Sequence, residues 1–385
     1  MNVPFIMIRA RICYLLFALG SLHASNHGIA FGDEATIDDK PYAMMTVEEA
    51  DADFQFQGEF VGNAVIDKIQ HTLGLQVVAL GNGSFSAMQY VGGLPGGGWN
   101  GEPPTKMSGT RTKDLLVLSG GKLALLSKRD QCLIIDDEGR RVGRLRRIKR
   151  VSPTLGAKPS KGAMVLFNGE NTDHFTLGEM TENGLLKQGA DLKPMFQDFN
   201  LHLEFQLSYM PKNEGQQRSN SGVYLQSRYE VQVLDSFGLD PLINGCGSLY
   251  RYRAPDLNMC LPPLSWQTYD IVFTSPRFAS DGSKTRDAQI SVWLNGVRVQ
   301  DKVKLANKTG AGKPEAPTLL PIRLQNHKDE VRYRNIWIVD RGLNAPGRFP
   351  VIQSKPDSPT PKKKNKRAVR SPRSAESIPN KSSSK

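Results

Sequence analysis

The chain has 385 residues, 39% hydrophobic and 23% charged, so it can bury two modest cores and is neither a disordered polyelectrolyte nor a fibrous repeat. With 36 glycines, 24 prolines and no sustained heptad pattern, the composition favours short strands joined by turns over long helices. The formal charge of +12 does not mark a nucleic-acid binder, because residues 352–385 alone carry ten Lys/Arg against two Asp/Glu.

In chain order, residues 1–30 read as an export signal. Arg9 and Arg11 form a positive start, Ile12 to Leu22 an apolar core, and Ala24, Ser25 and Ala30 are small residues suited to cleavage. The apolar run is too short to remain as a span, and no later segment approaches membrane-crossing length, so a secreted or periplasmic protein is expected. Residues 31–53 are acidic at first, lack a period and read as a linker. Residues 54–150 read as a small β-rich domain of unknown role. Its apolar bursts, such as FQFQGEFVG, LGLQVVALG and LLVLSGGKLALL, are separated by Gly81-Asn82-Gly83, Gly120-Gly121 and Glu138-Gly139. Cys132, in QCLII, reads as a buried small hydrophobe. The basic run Arg140 to Arg150 reads as a solvated strand face, and the Pro/Gly/Ser-rich residues 151–160 as a second linker.

Residues 161–341 carry further short strands, among them LHLEFQLSYM, SGVYLQ, YEVQVLD, TYDIVFTS, AQISVWLNGVRVQDKV and VRYRNIWIVD. Asn295-Gly296 is a type I′ hairpin signal, and the whole pattern predicts a two-sheet antiparallel sandwich. In YEVQVL, strand alternation puts Glu230 and Gln232 on one face and sends Tyr229, Val231 and Val233 into the core. His202 is expected to face solvent, and Trp266, Trp293 and Trp337 to sit in the core. Cys246 and Cys260 are the natural disulfide pair of an oxidising compartment, with two free thiols as the alternative. Residues 342–385 read as a disordered basic tail, a candidate contact for an anionic envelope or polysaccharide; no nucleic-acid partner is expected.

Five blocks occur in order: LFNGENTDHF, NSGVYLQ (Asn220 to Gln226), YEVQVLDS (Tyr229 to Ser236), SVWLNGVRV and LQNHKDEVRYRNIWI. Together, over about Lys161 to Asp340, they resemble the 3-keto-disaccharide hydrolase domain family, formerly a domain of unknown function. Residues 54–150 are similar to an N-terminal extension of some planctomycete members. The resemblance implies an all-β, concanavalin-like jelly-roll sandwich preceded by a small β-rich domain. It also implies an exported hydrolase or lyase acting on 3-keto-glycosides. The chain departs from the family at Gln226, Asn326 and Gln267, where Arg, Asp and Asn are common.

A glycoside oxidised at C3 has an acidic proton at C2, so its cleavage needs a base, a stabiliser for the enolate oxygen and an acid for the leaving group. Glu230 is the candidate base, and His327 the candidate acid or metal ligand. Arg251, Arg334 or a bound divalent cation are candidate enolate stabilisers. Asn220, Gln232 and Asp235 are candidate substrate contacts. The pattern holds no CxxC pairs, no GxSxG elbow and no evident pair of glycosidase carboxylates. A non-catalytic carbohydrate-binding module on the same sheet face is the alternative, and a solvated strand carboxylate the plainest reading of Glu230.

Overall fold

The structure, a computed structural model, describes residues 43–342. The signal at residues 1–30, most of the first linker and nearly all of the basic tail lie outside the described residues.

The first unit is a closed antiparallel barrel of eight strands, running from Gly58–Ile66 to Arg141–Ile148, each paired with the next and the first with the last. Alternation explains the filled interior. Along Ile69–Gly81, Leu73, Leu75, Val77 and Ala79 point inward and meet Phe60, Phe85, Leu116, Leu118, Leu125, Ile134 and Leu145 in a filled interior. Cys132 is fully buried in that interior, behaving as a small hydrophobe. The pairing is hairpin by hairpin, and it leaves no open sheet edge.

The second unit is the expected sandwich. One sheet has the order Phe175–Thr176, Ala190–Leu192, Arg323–Leu324, Asn220–Leu225, Tyr229–Leu234. The other runs Leu186–Lys187, Val331–Asp340, Asp198–Leu207, Trp266–Thr274, Ala288–Leu294, Val297–Leu305, with Met164–Phe167 added alongside Val331–Asp340. Between them, Val223, Val231 and Val233 pack against Leu201, Leu203, Phe205, Tyr269, Ile271, Phe273, Ile290, Val292 and Tyr333. The chain is all-β, as its composition and alternation predict. The Asn295-Gly296 turn joins its two strands with φ of +52° and +78°, the left-handed pair that a type I′ hairpin requires.

The units touch through a few specific groups. Tyr209 of the sandwich is fully buried in the barrel cluster, its ring 5.0 Å from Phe54 and its hydroxyl donating to Asp51 at 3.0 Å. Residues 152–157, within the stretch 151–160 read as a linker, are hydrogen-bonded along the outer face of the seven-stranded sheet. Thr154 Oγ1 donates to Asp270 Oδ2 at 2.8 Å and Gly156 N to Glu204 Oε1 at 2.6 Å. That cover accounts for His202, which is fully buried and not solvent-facing. Its Nδ1 lies 2.7 Å from Asp270 and its ring stacks on Trp337 at 4.9 Å. The three tryptophans expected in the core are instead half-buried on this outer face.

Candidate active site

Glu230 and Gln232 stand on the outer face of the five-stranded sheet, as alternation predicts, with Tyr229, Val231 and Val233 on the core side. The neighbouring strand sets Tyr224 opposite Glu230 and Gly222 opposite Gln232. A Cβ at Gly222 would run into Glu230 Oε1, so this glycine makes room for the carboxylate. The outer edge of Tyr229–Leu234 is closed by the chain itself. Gln232 N donates to Ser248 O at 3.0 Å, Tyr250 N to Glu230 O at 3.1 Å, and Glu230 N to Thr309 Oγ1 at 2.7 Å.

Thr309, Gly310 and Tyr250 therefore roof the carboxylate. Only 2% of Glu230 is exposed, and a Cβ at Gly310 would touch both the Tyr250 ring and Glu230 Oε2. Tyr224 is hydrogen-bonded to Glu230, while Oε2 is buried with no hydrogen-bond partner among the described residues. Burial pushes the Glu230 carboxyl up to about 7, and the Tyr224 hydrogen bond offsets only part of this. The Tyr224 hydroxyl is pushed up by burial and then by the Glu230 charge, so it stays a hydrogen-bond donor.

A row of amides leads away from the carboxylate. Turning the Gln232 amide over, an assignment fixed only by its neighbours, lets Nε2 donate to Glu230 Oε1 at 3.0 Å. The opposite amide orientation gives up that bond, and Gln232 Nε2 then donates to Asn220 Oδ1 at 3.1 Å; in either case Asn220 Nδ2 donates to Gln216 O at 2.7 Å. Asn220 N donates to Asp329 Oδ2 at 3.1 Å, and Asp329 Oδ2 lies 3.5 Å from His327 Nδ1. His327 lies beyond Asp329, its side chain 43% exposed, and is linked through that carboxylate to the Asn220 backbone.

The structure does not gather every candidate here. Asp235 is buried and ion-paired with Arg218 at 2.6 Å, which makes it structural and not a substrate contact. Arg334 lies on the other sheet, on the opposite side of the sandwich, paired with Glu204 at 2.7 Å and stacked 3.9 Å over Trp266. Arg251 is exposed with φ of +56°, its guanidinium 5.4 Å from the Tyr250 ring and so against the outside of the roof. The expected Cys246–Cys260 bridge is not formed. Both sulfurs are free and buried, Cys246 Sγ 3.3 Å from Tyr269 OH and Cys260 Sγ donating to Leu234 O at 3.5 Å. Among the described residues, no three His, Cys, Asp or Glu side chains converge as a metal cage. A large open cavity, of about 750 Å³, lies on the barrel and not at Glu230.

Tyr224, Tyr250, Thr309, Gln216 and Asp329 were missed. Only Tyr224 had a local signal: it continues the i, i+2, i+4 series of Asn220 and Gly222. The others come from loops that the sheet alone brings near.

A jelly-roll sandwich with a buried carboxylate, one oxygen of it without a partner among the described residues, beside a cluster of amides has the build of a carbohydrate-active domain of the hydrolase type. The family model for the 3-keto-alpha-glucoside-1,2-lyase-like domain matches residues 162–339, and the chain belongs to this family through that domain. Three solved structures similar to it come from Parabacteroides distasonis, each described as a candidate glycosyl hydrolase. The first is 30% identical, with 47% of this chain and 84% of that one covered and a TM-score of 0.41. The second is 16% identical, covering 47% and 94% with a TM-score of 0.34. The third is 21% identical, covering 46% and 98% with a TM-score of 0.33. No curated protein gives a significant match.

Proposed function

We propose that the sandwich cleaves 3-keto-glycosides by proton abstraction at C2 and elimination, with Glu230 as the base. The observation that carries this reading is a carboxylate oxygen held buried and unpartnered, on a group tuned to about 7. Glu230 in its ionised form takes the C2 proton, and the freed electron pair becomes the enolate of the C3 ketone. Re-forming the C3 carbonyl creates a C1–C2 double bond and expels the aglycone, whose oxygen takes a proton. Adding water, with hydroxyl to C1 and the Glu230 proton back to C2, completes a net hydrolysis; stopping before this leaves a lyase.

Tyr224, kept as a phenol, donates a hydrogen bond to the enolate oxygen. Gln232 and Asn220 orient hydroxyls. His327, half-exposed and paired with Asp329, protonates the aglycone. The export signal read at residues 1–30 would place this chemistry outside the cytoplasm.

Sugar release from a 3-keto-glucoside tests the reading. Glu230→Gln should lower kcat at least 10³-fold, and wild-type kcat/KM should rise with pH through about 7 as the base ionises. His327→Ala should slow substrates with poor leaving groups about 10²-fold and leave a 4-nitrophenyl leaving group nearly unaffected. Tight binding of the sugar without turnover would mark the domain as a binding module.

A further inference from the structure

We propose that the barrel carries its own binding groove for an anionic polysaccharide, separate from the sandwich site. The groove is the 750 Å³ open cavity on its outer surface, lined by Lys128, Arg129, Arg144, Arg146 and Arg147 with Asp114, Asp130 and Gln131. Its shape follows from the fold. The turn before Gln131–Ile135 supplies Lys128 to Asp130, and the last strand, Arg141–Ile148, supplies the arginines. Leu145 fills the barrel interior, so Arg144 and Arg146 point outward, about 7 Å apart along one strand face.

The cations divide into two kinds. Arg147 is structural: it donates to Arg129 O, Gln57 O and Gln55 O and stacks 4.6 Å over Phe60, which fixes the groove floor. Arg144, Arg146 and Lys128 have no carboxylate within ion-pair distance among the described residues. Most other arginines of the barrel and sandwich are paired with Asp or Glu. Three unpaired cations side by side repel one another, and an anionic ligand removes that repulsion.

The two carboxylates select among anions. Asp114 and Asp130 are 84% and 90% exposed, each 3.6 Å from an arginine of the groove. They repel any polyanion, but a DNA backbone has no free hydroxyl to donate to them in return. A sugar polymer bearing carboxylates offers acid groups to the arginines and hydroxyls to Asp114, Asp130 and Gln131. The groove therefore fits an acidic polysaccharide better than a nucleic acid.

The test is binding of the full chain to alginate, with uncharged dextran and a single-stranded oligodeoxynucleotide alongside. Arg144→Ser with Arg146→Ser should weaken alginate binding at least tenfold, whereas Lys158→Ser with Lys161→Ser, an equal loss of exposed charge elsewhere, should weaken it less than twofold. Asp114→Ala with Asp130→Ala should weaken alginate binding several-fold, because hydroxyl acceptors are lost. Equal loss in the two charge variants, or no alginate binding by wild type, overturns the proposal. Tighter alginate binding by the Asp variant, or an oligonucleotide bound as tightly with the same dependence on Arg144 and Arg146, also overturns it. Turnover of 3-keto-glycosides is read separately and should not change in any of these variants.

Discussion

Glu230, the base in the proposed reaction, also costs stability. Its folded pKa, about 7, lies above the ordinary glutamate value of 4.5, so the folded state binds this proton more tightly than the unfolded chain does. Below about pH 4.5 both states are protonated and the group is neutral to stability. As pH rises towards 7 and beyond, the unfolded chain ionises freely, and the buried carboxylate then costs about 3 kcal/mol. Glu230→Gln should therefore melt higher than wild type at pH 8, by several degrees, and close to wild type at pH 4.5. Thermal melts at the two pH values check this; equal shifts at both would show that the variant acts through packing and not charge. The face on which Glu230 stands was legible in YEVQVL, because alternation is local. Its raised pKa was not, since the burial that causes it comes from Tyr250 and Gly310, 20 and 80 positions further on.

At the scale of elements, the site depends on where neighbouring strands have no side chain. Gly222 lies across from Gln232, and any Cβ there collides with the Glu230 carboxylate. Gly222→Ala should displace that carboxylate, cut turnover at least 10²-fold and destabilise the fold by about 1–3 kcal/mol, measurable by denaturant unfolding alongside kinetics. The segment over the second sheet makes the complementary case. Gly156 N donates to the buried Glu204, whose carboxyl is held down at about 2, against the opposing effect of burial, by hydrogen bonds from Asn335, Arg334 and this amide and by His202 4.0 Å away. Gly156→Pro removes the donor at a φ of +74° that proline cannot adopt, and should cost about 2–4 kcal/mol in the same unfolding assay. Composition read residues 151–160 as a linker, because Pro, Gly and Ser mark irregular backbone without saying whether a sheet will bind it. The misplacement of His202 has the same origin: its strand alternates as a solvated strand does, and the cover comes from another part of the chain.

Over the whole molecule, the strands and their turns were readable, but the closure of the barrel was not. Closure depends on Gly58–Ile66 meeting Arg141–Ile148, a pairing no local pattern encodes. The separation of His327 from Glu230 was hidden likewise, since family blocks give order along the chain and not distance across a sheet. Tyr209 of the sandwich is buried in the barrel cluster, as Val78 of the barrel is in the sandwich cluster. Tyr209→Ala should remove about 3–5 kcal/mol and split a single calorimetric unfolding transition into two; one unsplit transition would mean that other contacts suffice. The roof over Glu230 has a kinetic consequence as well. A sugar can reach the carboxylate only in molecules whose Tyr250 and Gly310 segments have swung aside, so the observed association rate should level off as ligand concentration increases. The plateau would report how often the closed protein opens, and the measured affinity would be weakened by the fraction of time it stays shut.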